Sequence, residues 1–385
     1  MMPFAFNTAR SILFRNGASR DIAACSGGLL GQRVLLVTDP GLHRLGMVDP
    51  VATALTAAGH EVTLYADVEA DPSVATVDAA VEAGRAADVT GVVGFGGGSS
   101  MDVAKVAALL MGSCQPLDEA WGVGKARGPR LPLVLVPTTA GTGSEATPVA
   151  ILTVGDDEKR GVSSPILLPD LALLDAELTL GLPAPITAAT GVDAMVHAIE
   201  AYASASANNN PLSRMLAREA LRLLGANIET AVTHGGDIAA REAMLLGSMM
   251  AGQAFANSPV AAVHALAYPI GGIFHIPHGL SNALVLTSVL RFNLPAAAAT
   301  YAEIAADAFP HLADQPEHSR ADALVAALEG LIGRLQMPRR LRDVNIPADA
   351  LPRMAKEAMK HQRLLVNNPR PVTETDALAI YRDAW

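Results

Sequence analysis

The sequence predicts an α/β N-terminal domain built on a mostly parallel sheet, followed by an all-α C-terminal domain. Two patterns carry this prediction. Over about the first 180 residues short β-like runs alternate with helical stretches; beyond Pro183 the segments become long, alanine- and leucine-rich and helically spaced. Strands separated by helices build parallel sheets covered on both faces. The predicted boundaries are 1–180 for the α/β domain and 181–385 for the helical one. No low-complexity linker or internal repeat separates the halves, so the two are expected to pack closely around a cleft.

Composition narrows the class. Half of the 385 residues are hydrophobic and 17% are charged, which suits a large buried core rather than a disordered chain. The formal charge is −10 and no block of lysine or arginine occurs, so neither nucleic acid nor an anionic membrane surface is an expected partner. Apolar segments such as Val34 to Val37 and Leu131 to Val136 are short, and a soluble protein without a membrane span is expected. The N-terminal "MMPFAFNTARSILFRNG" has no apolar run behind a basic start, hence no expected signal peptide. Cys25 and Cys114 read as reduced thiols of a cytoplasmic protein.

The elements follow in order. "RVLLVTD" (33–39) is the first clear strand, "PVATALTAAG" a helix and "EVTLYAD" (61–67) a second strand. A helix through "VATVDAAVEAGRAA" leads to the strand "VTGVVGFG", and "LPLVLVPTT" (131–139) forms another. Ligands in parallel sheets bind beyond the carboxyl ends of the strands. Asp39 ends the first strand, where a carboxylate can accept from ribose hydroxyls and repel a 2′-phosphate, which favours NAD over NADP.

"GFGGGSSMDVAK" (94–105) places bare backbone where a strand gives way to a helix. Glycine lets amides approach a ligand closely, and an emerging helix offers free N–H groups and a positive dipole end. Ser99 followed by Asp102 resembles an N-terminal cap, which puts Gly97, Gly98 and Ser99 where a diphosphate would sit. "VPTTAGTGSEAT" (136–147) also follows a strand and supplies hydroxyls from Thr138, Thr139, Thr142 and Ser144 for the rest of a dinucleotide. Because Asp39 precedes the glycines and the loop reads G-G-G-S-S-M-D, the domain is Rossmann-like without the standard G-x-G-x-x-G fingerprint.

In the helical half "TGVDAMVHAIEAY" sets Asp193 and His197 four residues apart, on one helix face. "VHALAYPIGGIFHIPHGLSNA" then carries His264, His275 and His278. One carboxylate with two or three imidazoles suits Fe(II) or Zn(II) rather than Mg(II) or Ca(II). These polar groups sit among apolar neighbours, where an uncompensated one is costly.

Together, and nearly end to end, these stretches resemble the iron-containing, group III, metal-dependent alcohol dehydrogenases. The likeness runs through "ARSILFRNGAS", "GGGSSMDVAK", "PTTAGTGSE", "DAELTLGLP", "TGVDAMVHAIEAY", "PHGLSNA" and "NNPRPVTETD". It implies the dehydroquinate synthase-like fold of that family, with NAD(P) and a divalent metal. Asp193, His197, His264 and His278 match the family's four metal ligands. Gly97, Gly98 and Ser99 match its diphosphate loop, Asp39 its ribose-binding acid, and Thr138, Thr139 and Thr142 its second nucleotide loop. Thr179 and Leu182 match positions lining the cofactor. A homo-oligomer, dimer or larger, is implied by the same analogy.

Two positions depart from the family pattern. Many members carry a histidine four residues after the third ligand, thought to relay protons; here Tyr268 stands there, a poorer shuttle at neutral pH than imidazole. In "DDEKRGVSS", Gly161 takes the place of a lysine near the cofactor, with Lys159 and Arg160 shifted. His275 is extra to the ligand set and is expected to line the pocket, which leaves Tyr268 and His275 as relay candidates. The expected reaction is reversible hydride transfer between NAD and a small primary alcohol, diol or hydroxy acid. A maleylacetate-type reductase, a dehydroquinate synthase-like lyase and a non-catalytic NAD-binding protein are the alternatives. In the segment "KHQRLLVNN" (360–368), His361 or Arg363 could attract a substrate carboxylate.

Overall fold

The computed structural model describes residues 3–155 and 158–385, so Asp156 and Asp157 of the "DDEKRGVSS" segment lie outside the described residues. The chain divides into two compact units, Asn7–Gly181 and a second made of Met1–Phe6 with Leu182–Trp385. The extreme N-terminus thus groups with the helical unit, where the Ala5 N–H and C=O both pair with the Asn208 amide.

In the first unit the strands are β1 Ile12–Phe14, β2 Arg33–Val37, β3 Glu61–Tyr65, β4 Gly91–Gly96, β5 Gly122–Val123, β6 Leu133–Pro137, β7 Val149–Val154, β8 Glu158–Ser163 and β9 Leu171–Leu174. The helices are α1 Ile22–Ser26, α2 Pro40–Arg44, α3 Asp49–Ala57, α4 Val74–Ala86, α5 Gly98–Ser113 and α6 Leu117–Ala120. Six strands form an all-parallel sheet in the order β1-β9-β6-β4-β2-β3. The two-residue pleat explains its double burial. Leu35 and Val37 of β2 join Val92, Met101 and Leu109 in one core, while Val34 and Leu36 join Val93, Ile22 and Leu55 in the other. Each such aliphatic side chain contributes about 1.5–3 kcal/mol on burial.

The chain steps outward from β2 to β3 and then returns to place β4 on the opposite side of β2. That reversal is the switch point at which open α/β sheets bind ligands, beyond the strand ends. Asp39 follows β2 there, and the glycine turn follows β4.

A second sheet went unread in the sequence: β7 and β8 form an antiparallel hairpin, with β5 parallel to β8. The polar run "EKRGVS" of β8 shows no apolar alternation to mark it.

The second unit contains α7 Ala184–Ala203, α8 Pro211–Thr233, α9 Ile238–Asn257, α10 Ala262–Phe274, α11 His278–Ala308, α12 Glu317–Arg334, α13 Leu351–Ala358, α14 Gln362–Leu365 and α15 Glu374–Ala384. Among the described residues it has no strand. Asn210 starts α8 by a reciprocal cap with Ser213, and Asp237 starts α9 by accepting from the Ala240 N–H. Helix α7 packs against α8, α9 and α11 and is buried around most of its circumference, which explains a sequence apolar on nearly every face. By length and composition alone α11 could cross a bilayer. It is instead a central packing helix, half buried over its most apolar stretch and flanked by α7, α8, α10 and α12.

Candidate active site

Three helices of the second unit converge four side chains on one point. Asp193 and His197 lie one turn apart on α7, His264 comes from the first turn of α10, and His278 opens α11 directly after Pro277. Proline before the first residue and an extended Pro277 end the preceding turn cleanly, so His278 projects from a fixed helix start. One donor atom from each of the four lies within 4.8 Å of the other three. Asp193, His197 and His264 are buried; the His278 side chain is 39% exposed, which leaves the cluster one open side.

Partners that the sequence reading did not single out fix this geometry. Glu200, one turn beyond His197, accepts from His264 Nδ1 at 2.6 Å and from the Ala261 and Val263 N–H groups. A carboxylate acceptor on Nδ1 fixes that proton and turns the lone pair of Nε2 toward the other ligands. Asn282, one turn after His278, donates from Nδ2 to Asp193 Oδ1 at 2.6 Å and lies 3.3 Å from the Nε2 atoms of His264 and His278. The His197 ring stacks on Phe255 at 4.5 Å and on His264 at 4.8 Å. The available signal was helical spacing: Glu200 is i+3 from His197 and Asn282 is i+4 from His278.

Electrostatics agree with a cation site. Burial pushes the Asp193 carboxyl up, but His197, His278, His264 and the Asn282 hydrogen bond outweigh it and hold the group below the usual range. The cluster therefore presents an ionised carboxylate and three imidazoles, a donor set that fits Fe(II) or Zn(II).

The two relay candidates part company. The Tyr268 ring stands 6.2 Å from His278 and meets His361 edge-on at 4.8 Å. His275 is exposed, in the left-handed conformation (φ 55°) that closes α10, and makes no ring contact with the cluster among the described residues.

In the first unit Asp39 caps α2, Oδ1 accepting from the Gly41 and Leu42 N–H groups. The Ser99–Asp102 cap does not form: Gly97 is the N-cap of α5 and no side chain caps the helix. Its first amides consequently remain directed at the turn. Asp102 points inward instead, accepting from Ser144 Oγ and the Ile151 N–H, so it is spent on the protein rather than offered to a phosphate. Gly97, Gly98 and Ser99 remain partly open, as do Thr139 and Thr142, while Thr138 is buried and extends the sheet through its N–H to Gly96 O. A Cβ at Gly98 would stand 2.9 Å from Thr142 Cγ2, so glycine there lets the threonine loop lie against the turn. The hydroxyl of buried Thr179 donates to Ala176 O, and Leu182 O accepts from Arg241 and Thr187. The shifted cations are also occupied: Lys159 pairs with Asp71, and Arg160 with Glu158.

Comparison with known proteins completes the assignment. Residues 9–176 match the family model described as iron-containing alcohol dehydrogenase, and residues 187–385 match that of the C-terminal part of the Fe-containing alcohol dehydrogenase family. The chain belongs to the iron-containing alcohol dehydrogenase family. Among its relatives is long-chain-alcohol dehydrogenase 1 of Geobacillus thermodenitrificans, 39% identical over 92% of this chain and 90% of the relative. The crystal structure of a 1,3-propanediol oxidoreductase superimposes with a TM-score of 0.95 at 34% identity, covering all of both chains. A sulfoacetaldehyde reductase from Bifidobacterium kashiwanohense, solved in complex with NAD+, gives 0.88 at 29% identity over 100% of this chain and 99% of that one. As a member of the family the protein is an oxidoreductase.

Proposed function

We propose that the protein is an NAD-dependent, divalent-metal-dependent alcohol dehydrogenase, interconverting a small primary alcohol, diol or hydroxy acid with its aldehyde or ketone by hydride transfer. The observation that carries this reading is the one-carboxylate, three-imidazole cluster within 4.8 Å. Family membership and the NAD+ complex of a structural relative support it.

When bound, the metal supplies Lewis acidity toward the substrate oxygen and NAD supplies the hydride acceptor. Asp193, His197, His264 and His278 hold the metal, Fe(II) being favoured by the family and Zn(II) equally compatible with the donors. Three neutral imidazoles and one carboxylate leave a divalent ion with net positive charge. Glu200 and Asn282 orient these ligands. Gly97, Gly98 and Ser99 bind the diphosphate through the open end of α5. Thr139 and Thr142 bind the remainder of the cofactor, with Thr138 setting the loop's path and the Thr179 and Leu182 segment adding to its lining. Asp39 takes the ribose hydroxyls, which makes NAD the preferred cofactor over NADP. Tyr268 moves the proton released on oxidation, since it is the relay candidate beside the ligands. The free thiols Cys25 and Cys114 suit a reducing compartment, and the reading places the enzyme in the cytoplasm. A homo-oligomer is carried over from the family resemblance.

The test is to purify the protein without oxygen, load it with Fe(II) or Zn(II), and follow NADH formation over primary alcohols, diols and ω-hydroxy acids. Metal-dependent turnover, faster with NAD than NADP, is expected. Absence of turnover across the panel with metal and NAD both bound would favour the non-catalytic alternative.

A separate expectation concerns Glu200→Gln. The amide keeps the shape but loses the charge opposite Nδ1, and chelator competition should show metal affinity lowered by about 10- to 100-fold. Unchanged affinity in the folded variant would remove Glu200 from the metal's support.

A further inference from the structure

Behind the glycine turn lies a group of buried charges that the proposed reaction does not use. Lys105, about two turns into α5, is fully buried, and Asp102 sits one turn before it on the same face. Lys105 Nζ donates to Ser144 Oγ at 2.7 Å, to Thr147 Oγ1 at 3.2 Å and to Val149 O at 2.8 Å, and it lies 3.6 Å from Asp102 Oδ1. Asp102 in turn accepts from Ser144 Oγ at 2.7 Å through Oδ1 and from the Ile151 N–H at 2.8 Å through Oδ2. Glu145, 1% exposed, is also buried beside them, and its Oε1 has no hydrogen-bond partner among the described residues.

We propose that Lys105 and Asp102 form a buried brace which locks the threonine loop onto the glycine turn, and that this brace sets the affinity of the nucleotide site. A lysine in a glycine-rich motif invites another reading, that its ammonium meets a phosphate. The geometry rules this out. An ammonium has three protons, and three protein acceptors already take them. Asp102 likewise has each oxygen committed. Both residues stand on α5, the helix whose open N-terminus forms the turn, while all of their partners lie between Ser144 and Ile151, directly after Thr142. The brace therefore fixes one nucleotide-binding segment relative to the other. Ser144 is its hub, giving its own proton to Asp102 and accepting one from Lys105; its buried hydroxyl is thus spent inside the protein and, contrary to the sequence expectation, is not offered to the dinucleotide.

The hydrogen bonds sustain the arrangement against burial, which pushes the Asp102 carboxyl up and the Lys105 ammonium down, each countered by the other, and raises the Glu145 carboxyl to about 7. Among the described residues Lys105 is the cation that faces both the half-buried Asp102 and the buried Glu145, and its loss removes the compensating charge from both. Lys105 and Asp102 are positioning residues, since neither touches the reacting atoms.

The proposal rests on the reading that these two loops hold NAD, and the test separates the two. NADH fluorescence titration is run on wild type, Lys105→Met and Ser144→Ala, with metal content, melting temperature and steady-state kinetics measured alongside. Each folded variant is expected to raise the Kd for NADH by about tenfold or more, the loss expected from one charge-assisted hydrogen bond. The KM for NAD should rise with it, while metal content and kcat at saturating NAD stay near wild type. A merely structural residue would lower kcat through loss of active protein and leave KM unmoved. If Lys105→Met fails to fold, Ser144→Ala carries the test alone. Unchanged NADH affinity in a folded variant, against a wild type that binds NADH, overturns the brace. A wild type that binds no NADH overturns the nucleotide reading itself.

Discussion

Replacing His264 by alanine is expected to strip the metal from the protein and abolish metal-dependent turnover, while NADH still binds. The residue is 3% exposed, its Nδ1 is committed to Glu200, and its ring stacks on His197. Deleting it removes one of four donors and the aromatic support of another. The loss of affinity should exceed the roughly 10- to 100-fold that follows from losing an outer partner alone. It also strips Glu200 of one of three hydrogen bonds, leaving only the Ala261 and Val263 N–H groups, so a fall in stability of about 1–3 kcal/mol is expected as well. Elemental analysis, NADH titration and thermal unfolding read the three effects separately. Unchanged metal content and turnover would withdraw His264 from the ligand set.

Gly279→Ala is the second substitution with a large expected effect, although it touches no donor atom. Gly279 follows His278 at the start of α11, against the backbone of α7. A Cβ built there would lie 2.4 Å from Ala189 O and 2.8 Å from the Ala189 carbonyl carbon, with Asp193 Cβ at 3.3 Å. The first two obstacles are backbone and cannot rotate aside. The helices must therefore separate, at a cost of about 1–3 kcal/mol for overpacking. Separation also parts His278 from Asp193, whose Nε2 and Oδ1 atoms are 3.7 Å apart. Calorimetry should show a lowered melting temperature, and chelator competition a weakened metal, with NADH affinity preserved in the other unit. A variant of wild-type stability and metal affinity would show that α7 and α11 can yield at this point.

The contrast between these two residues marks how far the sequence is legible. His264 stood out because an imidazole in an apolar run needs an explanation, and Asp193 and His197 because four residues on a helix share a face. Gly279 could be read only as part of a helix start, since the backbone it approaches lies 90 residues earlier in the chain. Glu200 and His264 meet across 64 residues, Asn282 and Asp193 across 89. Asp102 was assigned to the phosphate turn because a capping pattern is local, whereas Ser144 and Ile151, which turn it inward, arrive from a separate strand and loop.

By itself the sequence determined what short-range periodicity and backbone chemistry encode: alternating buried strands and helices, a helical second half, a bare glycine turn beyond a strand, and the residue types able to hold a metal. Tertiary structure alone decided the β7–β8 hairpin, the pairing of β1 with β9 at the sheet edge, the core placement of α11, and the partners of Glu200, Asn282, Asp102 and Lys105. The physical reason is the range of the interactions. Propensity, capping and face periodicity act within a few residues, whereas a buried polar group is satisfied by whichever distant segment packing brings to it, and no local pattern records which that is.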